Sequence, residues 1–488
     1  MSRLTIKALT LAASLLAAAA LSSCGESASS PAATAAPAGD TPSVLDTAEE
    51  TTTGVMPPVP DGTDYGGYTF TIRNGNIADW MVTYAVDADE ENGEALNDAI
   101  YKRNLAVEEA LNVKITSIDE SGARSDAEKA IKAGDDAYDL VLDTTAEAFT
   151  MATNGTALSY DNIPSLELDK PWWVQSSLRD TSIAGHVYYA ISLFDTTHYC
   201  EIRGLMFNKT LRESYQLDNP YDLVNDNKWT LDKMKEMGVT VALDLDGDGK
   251  WTKADQFGYT SWSRVGCEAL VYGAGGKLSL NKDEDDYPFF DLDDVFYYDR
   301  YSAVAALYAE EGFKAPQGDS SNHGGLDEFI EGKILFYNEA IGNAHSLRDM
   351  DADFGIIPCP KYNEEQEEYQ HFGGTPYVEI IPKTASDPER TGYVLETLAW
   401  ASQDTVVPAY YEVTLNGKIA RDTESSPMLD IVFNTLSYPN QLAFDYCDTK
   451  VTDIIWKGKT DFASYFAKNA EKIQKAIDKA VAAYEENN

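Results

Sequence analysis

The chain has 488 residues, enough for two lobes of ordinary size, and 81 acidic against 38 basic side chains give it a formal charge of −43. A surface this acidic excludes binding to nucleic acid and charge-driven binding to anionic lipid, and suits a solvated exported protein or a ligand of divalent cations. Five Cys, widely spaced and with no CxxC, give no thiol metal site or redox motif; a disulfide or buried thiols among Cys200, Cys267, Cys359 and Cys447 both remain open.

The first segment is an address. Arg3 and Lys7 precede an Ala/Leu-rich run from Ala8 to Leu21, and small residues follow at Ser22 and Ser23. A basic start, a short apolar run and small residues at the cut form a secretory signal peptide over 1–23, too short to span a bilayer. Leu21-Ser22-Ser23-Cys24-Gly25 resembles the lipobox of bacterial lipoproteins, which implies lipidation of Cys24 and an anchored protein on the outer face of the cell membrane. Residues 24–64 are rich in Ser, Ala, Thr, Pro and Gly, and read as a disordered tether with too little apolar surface to pack.

Folded structure is predicted from about Tyr65. Tyr68–Arg73 alternates as a strand; Glu94–Leu111 has helical spacing at Leu96, Ile100, Leu105, Val107 and Leu111; Val113–Thr116 is a strand, Ser125–Ala133 a helix and Tyr138–Asp143 a strand. Strands alternating with helices predict an α/β fold with a mostly parallel sheet, and ligands collect beyond the carboxyl ends of such strands. That selects Asn74, Asn76, Asp143 and Thr144 as one rim. Further on, Gly204–Lys209 is a strand, Thr230 caps a helix to about Ala242, Tyr301–Glu311 is a helix, and Lys333–Tyr337 and Phe354–Pro358 are strands. Asn338 and Glu339 follow one of those strands and are selected on the same ground. Pro388–Ser402 and Phe466–Tyr484 are predicted helices.

The sharpest local motif is Asp244-Leu245-Asp246-Gly247-Asp248-Gly249-Lys250-Trp251-Thr252-Lys253-Ala254-Asp255. It matches the calcium loop D-x-D-x-D-G with an acid at position twelve. Asp244, Asp246, Asp248 and Asp255 supply carboxylates, Lys250 its carbonyl, and Thr252 a hydroxyl or bridging water. The cofactor expected is a structural calcium ion, and the strand-like Phe257–Thr260 after the loop excludes an EF-hand pair. Trp80, Trp172, Trp173, Tyr199, Trp262 and Tyr272 lie in loops or at element ends, where rings can stack on the apolar faces of sugars.

In order along the chain, Met206-Phe207-Asn208-Lys209, Trp229-Thr230-Leu231-Asp232, Tyr272-Gly273-Ala274-Gly275-Gly276, Phe329-Ile330-Glu331-Gly332-Lys333 and Phe354-Gly355-Ile356-Ile357-Pro358-Cys359-Pro360-Lys361 resemble the landmarks of the extracellular solute-binding proteins of ABC importers, the maltose-binding-like group. The resemblance implies a two-lobed periplasmic-binding-protein-like fold with a hinge and an interlobe cleft. Lobe one would take 65–201 plus 353–403, lobe two 202–352 plus 404–488, with Phe354–Pro358 re-entering lobe one. It implies a non-enzymatic protein that hands a small solute, a sugar or oligosaccharide, to separate ABC permease subunits, touching the membrane through its lipid alone. The ligand set would be Asn74, Asn76, Asp143, Thr144, Trp172, Trp173, Trp262, Tyr272, Asn338 and Glu339.

Two other classes stay open on the residues alone: a secreted carbohydrate-active enzyme and a tethered calcium-binding adhesin. With 81 acidic residues a carboxylate pair is uninformative. No G-x-S-x-G, H-E-x-x-H or phosphate-binding Gly loop is present, and the five His are scattered.

Overall fold

The computed structural model describes residues 59–75, 86–277, 280–290, 295–316, 324–347, 350–374, 376–411, 422–438 and 449–488. The signal segment, Cys24, nearly all of the tether, Asn76, Trp80 and Cys447 lie outside them. No helix among the described residues is long and apolar enough to cross a membrane.

Two sheets organise the chain. The first comprises β1 (Tyr68–Asn74), β2 (Val113–Asp119), β3 (Leu140–Thr144), β4 (Tyr189–Ala190) and β12 (Tyr377–Ile380), in the order β2-β1-β3-β12-β4. β1 runs parallel to β2 and β3; β12 is antiparallel to β3 and β4. The second has the order β10-β5-β9-β6, built from β5 (Arg203–Asn208), β6 (Phe257–Ser261), β9 (Ile334–Ala340) and β10 (Phe354–Ile357). Here β6 is parallel to β9, and β5 is antiparallel to β9 and β10. Two-residue pairs, β7 (Asn281–Lys282) with β8 (Pro288–Phe289) and β11 (His371–Phe372) with β13 (Leu436–Ser437), complete the strands described.

One sequence expectation is corrected by this register. Phe354–Ile357 does not re-enter the first lobe; it pairs along its whole length with Leu205–Asn208 of the second sheet. The strand that returns is Tyr377–Ile380, which slots between β3 and β4. Both segments are short and fully buried, so the local pattern identifies a strand without saying which sheet takes it.

Two helices start where side-chain caps place them. Thr230 accepts the backbone N–H of Lys233 at 3.3 Å and starts the helix Leu231–Val241. Asp387 accepts the N–H of Arg390 at 3.0 Å, and Pro388 stands at the first helical position of Pro388–Ser402. The helix Leu231–Val241 sits directly on β6: a Cβ on Gly258 would lie 2.4 Å from the Cα of Gly238. Only glycine at both positions allows that approach. Cys200, Cys267 and Cys359 are buried free thiols. Burial pushes the Cys359 thiol up to about 12, which keeps it protonated and inert.

Candidate functional site

The strand directions define two rims. β1 and β3 end at Asn74 and Thr144, and the antiparallel β12 begins beside them, with Tyr377 opposite Thr144. In the second sheet, β6 and β9 run the same way with Ser261 opposite Asn338, and the antiparallel β5 begins there, with Arg203 opposite Ala340. The chain leaves the first rim from β4 and enters the second at β5; it leaves β10 and re-enters the first rim at β12. These two crossovers touch. The N–H of Tyr377 donates to Thr197 Oγ1 at 3.1 Å, and a Cβ on Gly374 would lie 2.7 Å from the carbonyl oxygen of Glu201. Gly374 also has φ +75°, so the contact and the backbone both require glycine. The two rims thus border one pair of joined crossovers.

On the first rim, Asn74 is buried at the end of β1. Asp143 accepts the N–H groups of Arg124 (3.0 Å) and Thr144 (2.8 Å). Burial raises its pKa, against the pull of those two donors. Thr144 caps the helix Thr145–Thr153, its Oγ1 accepting from Glu147 at 3.4 Å.

The second rim is dominated by a residue that sequence reasoning missed. Arg203 opens β5 and pairs with Glu339 Oε1 at 2.5 Å and Glu201 Oε2 at 3.5 Å, the side chains of Arg203 and Glu339 being 13% and 6% exposed. Burial works against the guanidinium charge, but Glu339, Glu201 and Glu268 together raise its pKa. Glu339 Oε1 also accepts the N–H of Ala340 at 2.7 Å and Asn343 Nδ2 at 3.4 Å, and Oε2 accepts from Tyr337 at 3.4 Å. The signal that could have found Arg203 is Glu201-x-Arg203, one charge just before and one at the start of an otherwise apolar strand.

The other selected residues separate. Trp262 follows β6 at the second rim and is 40% exposed. Asn338 is buried inside the sheet, its Nδ2 donating to the carbonyl of Gly204 at 3.0 Å. Tyr272 is buried with its ring 5.3 Å from that of Phe372. Trp172 and Trp173 are corrected outright: they are 0% and 2% exposed, with no ring face open for stacking. Both indole N–H groups donate to Glu396 on the helix Pro388–Ser402, that of Trp173 at 2.8 Å. Glu396 also accepts the N–H of Glu167 at 2.6 Å. The pair is the polar-tipped core of the first lobe.

Behind the first rim lies a buried acid pair. Glu379 on β12 accepts the N–H of Ser192 at 3.1 Å and its hydroxyl at 2.9 Å. Burial, then the charge of Asp195, pushes its pKa up to about 8. Burial pushes Asp195 up to about 6, the Thr197 hydroxyl and N–H opposing. A carboxyl whose folded pKa is raised stabilises fully below its unfolded value, near 4.5 for Glu379, and that contribution is lost as pH rises through about 8. Glu379→Gln should therefore melt above the parent at pH 8.5, with the gap closing toward pH 5; parallel melting profiles would show that Glu379 ionises normally.

The acidic loop stands apart from the rims, before β6. Carboxylate oxygens of Asp244, Asp246 and Asp255, loop positions one, three and twelve, lie within 4.8 Å of one another. Asp244 accepts the N–H groups of Gly247 (2.7 Å) and Gly249 (2.8 Å), which wraps the loop around the three acids. Asp255 accepts from Thr252 N (2.8 Å) and Leu245 N (3.0 Å), and these donors lower its pKa. For Asp246 the N–H of Asp248 lowers the pKa, but desolvation and the neighbouring acids outweigh it and raise the pKa. Asp248 stands outside the trio, accepting from Lys250 N at 2.7 Å, while the Thr252 hydroxyl donates to Asp255 at 3.3 Å. Converging hard oxygen donors of one sign fit calcium.

No family model matches the chain, and no curated protein does. Solved structures do match. MalE of Listeria monocytogenes in complex with maltose is 15% identical, covering 86% of this chain and 97% of that one, with a TM-score of 0.53. UgpB of Mycobacterium tuberculosis in complex with glycerophosphocholine is 15% identical, covering 85% and 99%, with a TM-score of 0.53. The galacto-N-biose/lacto-N-biose I-binding protein of the ABC transporter from Bifidobacterium longum, in complex with lacto-N-biose, is 14% identical, covering 86% and 99%, with a TM-score of 0.52. This chain therefore has the two-lobed α/β fold of the solute-binding proteins of ABC transporters.

Proposed function

We propose that this chain captures a small solute between its lobes, a sugar or oligosaccharide, and presents it to an ABC permease. The observation that carries the reading is the pair of strand-end rims bordering joined crossovers, with Arg203, Glu201 and Glu339 on one and Asn74, Asp143 and Thr144 on the other. Carboxylates and amides at such ends suit sugar hydroxyls, and exposed Trp262 offers a stacking face. Of the neighbours, MalE and the lacto-N-biose-binding protein hold disaccharides, whereas UgpB holds a glycerophosphodiester. The three-sided acidic setting of Arg203 disfavours an anionic head group and tips the choice to a neutral saccharide. Lobe one is assigned to 65–201 and 377–403, lobe two to 202–357 and 404–488, with 358–376 as a crossover. A ligand screen by thermal shift tests capture.

Two further parts belong to the proposal. Cys24 carries the lipid that anchors the chain outside the cell; Cys24→Ala should move the protein from the membrane to the soluble fraction, and retention at the membrane would sink that clause. The loop Asp244–Asp255 holds calcium, with Asp244, Asp246 and Asp255 as the carboxylate ligands and Asp248, Lys250 and Thr252 completing the shell. A bound cation cancels the repulsion among the acids and stabilises the fold by linkage. Chelator should lower the melting temperature, and Asp246→Ala with Asp248→Ala should abolish that response. Identical melting curves with calcium and with chelator would leave the loop a metal-free turn.

A further inference from the structure

The C-terminal helix Phe462–Asn487 is 26 residues long, about 39 Å at 1.5 Å per residue, and its two halves grip different lobes. At its start, Phe462 packs 5.4 Å from Tyr301 and Phe466 packs 4.7 Å from Phe290, on the second lobe. At its end, Tyr484 is fully buried, edge-on to Tyr188 at 4.8 Å; Tyr188 donates its hydroxyl to the Tyr484 carbonyl at 2.8 Å. Asn487 Nδ2 donates to the Ala152 carbonyl at 3.0 Å, on the helix Thr145–Thr153 of the first lobe.

The β7–β8 hairpin makes a second grip beside it. It leaves the second lobe after the helix Ser263–Gly273, yet Lys282 Nζ donates to the carbonyls of Arg179 (2.7 Å) and Ser182 (2.6 Å) in the first lobe. Asp286 holds Lys282 at 2.8 Å and accepts from Ala184 N and Gly185 N, each at 3.0 Å. Ala184 and Asp286 both have positive φ, at 53° and 66°, a backbone cost kept only where surrounding contacts impose it. Tyr287 ties the hairpin to the helix through Glu485 at 2.6 Å.

Both grips sit away from the rims. Ala152 lies two turns along a helix that starts at rim residue Thr144, and Ser182–Gly185 precede β4, which runs toward the rim. Contacts so far from the crossovers resist rotation about them with a long lever arm. We propose that the C-terminal helix and the β7–β8 hairpin form a clasp across the lobes, and that the lobes separate only when Tyr484 and Lys282 let go. The proposal rests on the two-lobed fold and not on the solute.

The test is the inter-lobe distance distribution of the ligand-free protein, by pulsed spin-label spectroscopy. Labels are carried on unnatural amino acids at the exposed positions of Lys114 (β2) and Thr240 (helix Leu231–Val241). The parent should show one population. Tyr484→Ala should add a second, longer one, and so should Lys282→Met with Asp286→Asn, which leaves the aromatic packing intact and guards against a Tyr484 variant that fails to fold. An unchanged single distance in the folded hairpin variant, or two populations in the parent, would overturn the clasp. Neither result touches solute capture, which is read separately by ligand-induced stabilisation.

Discussion

Trp172→Ala should cost about 3–5 kcal/mol of stability, the range for truncating a buried Trp. The side chain is fully buried, and its indole N–H donates to Glu396, itself buried and already accepting from Trp173 and Glu167. The variant opens a cavity and removes one of the donors that oppose the burial of the Glu396 carboxylate, whose pKa burial raises. Trp262→Ala provides the contrast. That ring is 40% exposed, and its loss should shift stability by no more than about 0.5 kcal/mol, as for an ordinary surface site. Urea unfolding of the two variants reads the difference directly. Equal midpoints would mean that Trp172 is not the core residue described.

Arg203→Met is expected to be as severe and to act through charge. It strands Glu339 and Glu201 at the rim, where the Arg203–Glu339 pair is largely buried, and breaking one side of a buried pair costs about 3–5 kcal/mol. Adding Glu339→Gln should recover much of that loss, because the second change removes the uncompensated charge. The cycle built from the two single variants and the double variant isolates the coupling. Salt should change it little, since a buried pair is weakly screened. A coupling below about 0.5 kcal/mol, the scatter expected of independent sites, would show that Arg203 is not held by Glu339.

Much of this architecture is legible in the sequence because it is local. The alternation in Tyr68–Arg73, the cap at Thr230 and the helix Pro388–Ser402 are all settled by near neighbours, and the structure has each in place, the strand running one residue further to Asn74. The acidic loop is legible for the same reason: its spacing brings Asp244, Asp246 and Asp255 together without outside help. What the sequence hides depends on partners far along the chain. Trp172 and Trp173 look like stacking residues until Glu396, more than 220 positions later, claims both indoles. Phe354–Ile357 reads as a strand, but its sheet is decided by pairing with β5. Asn338 and Glu339 read as residues that follow a strand but lie within β9, and Arg203, which engages Glu339, precedes it by 136 positions. The predicted last helix, Phe466–Tyr484, stops short of Phe462 and Asn487, whose partners Tyr301 and Ala152 lie far back along the chain.

The central claim, capture of a saccharide between the lobes, is tested most directly by thermal shift. The panel spans mono- and oligosaccharides, glycerophosphodiesters, amino acids and short peptides. A solute at 100 times its Kd should stabilise the protein by about 2.7 kcal/mol. The account predicts that one class of neutral saccharide gives that shift, that the saccharide is recovered unchanged, and that Trp262→Ala weakens the response without lowering the unliganded melting temperature. Stabilisation by an amino acid, a peptide or a phosphodiester alone, or conversion of the saccharide to products, would contradict it.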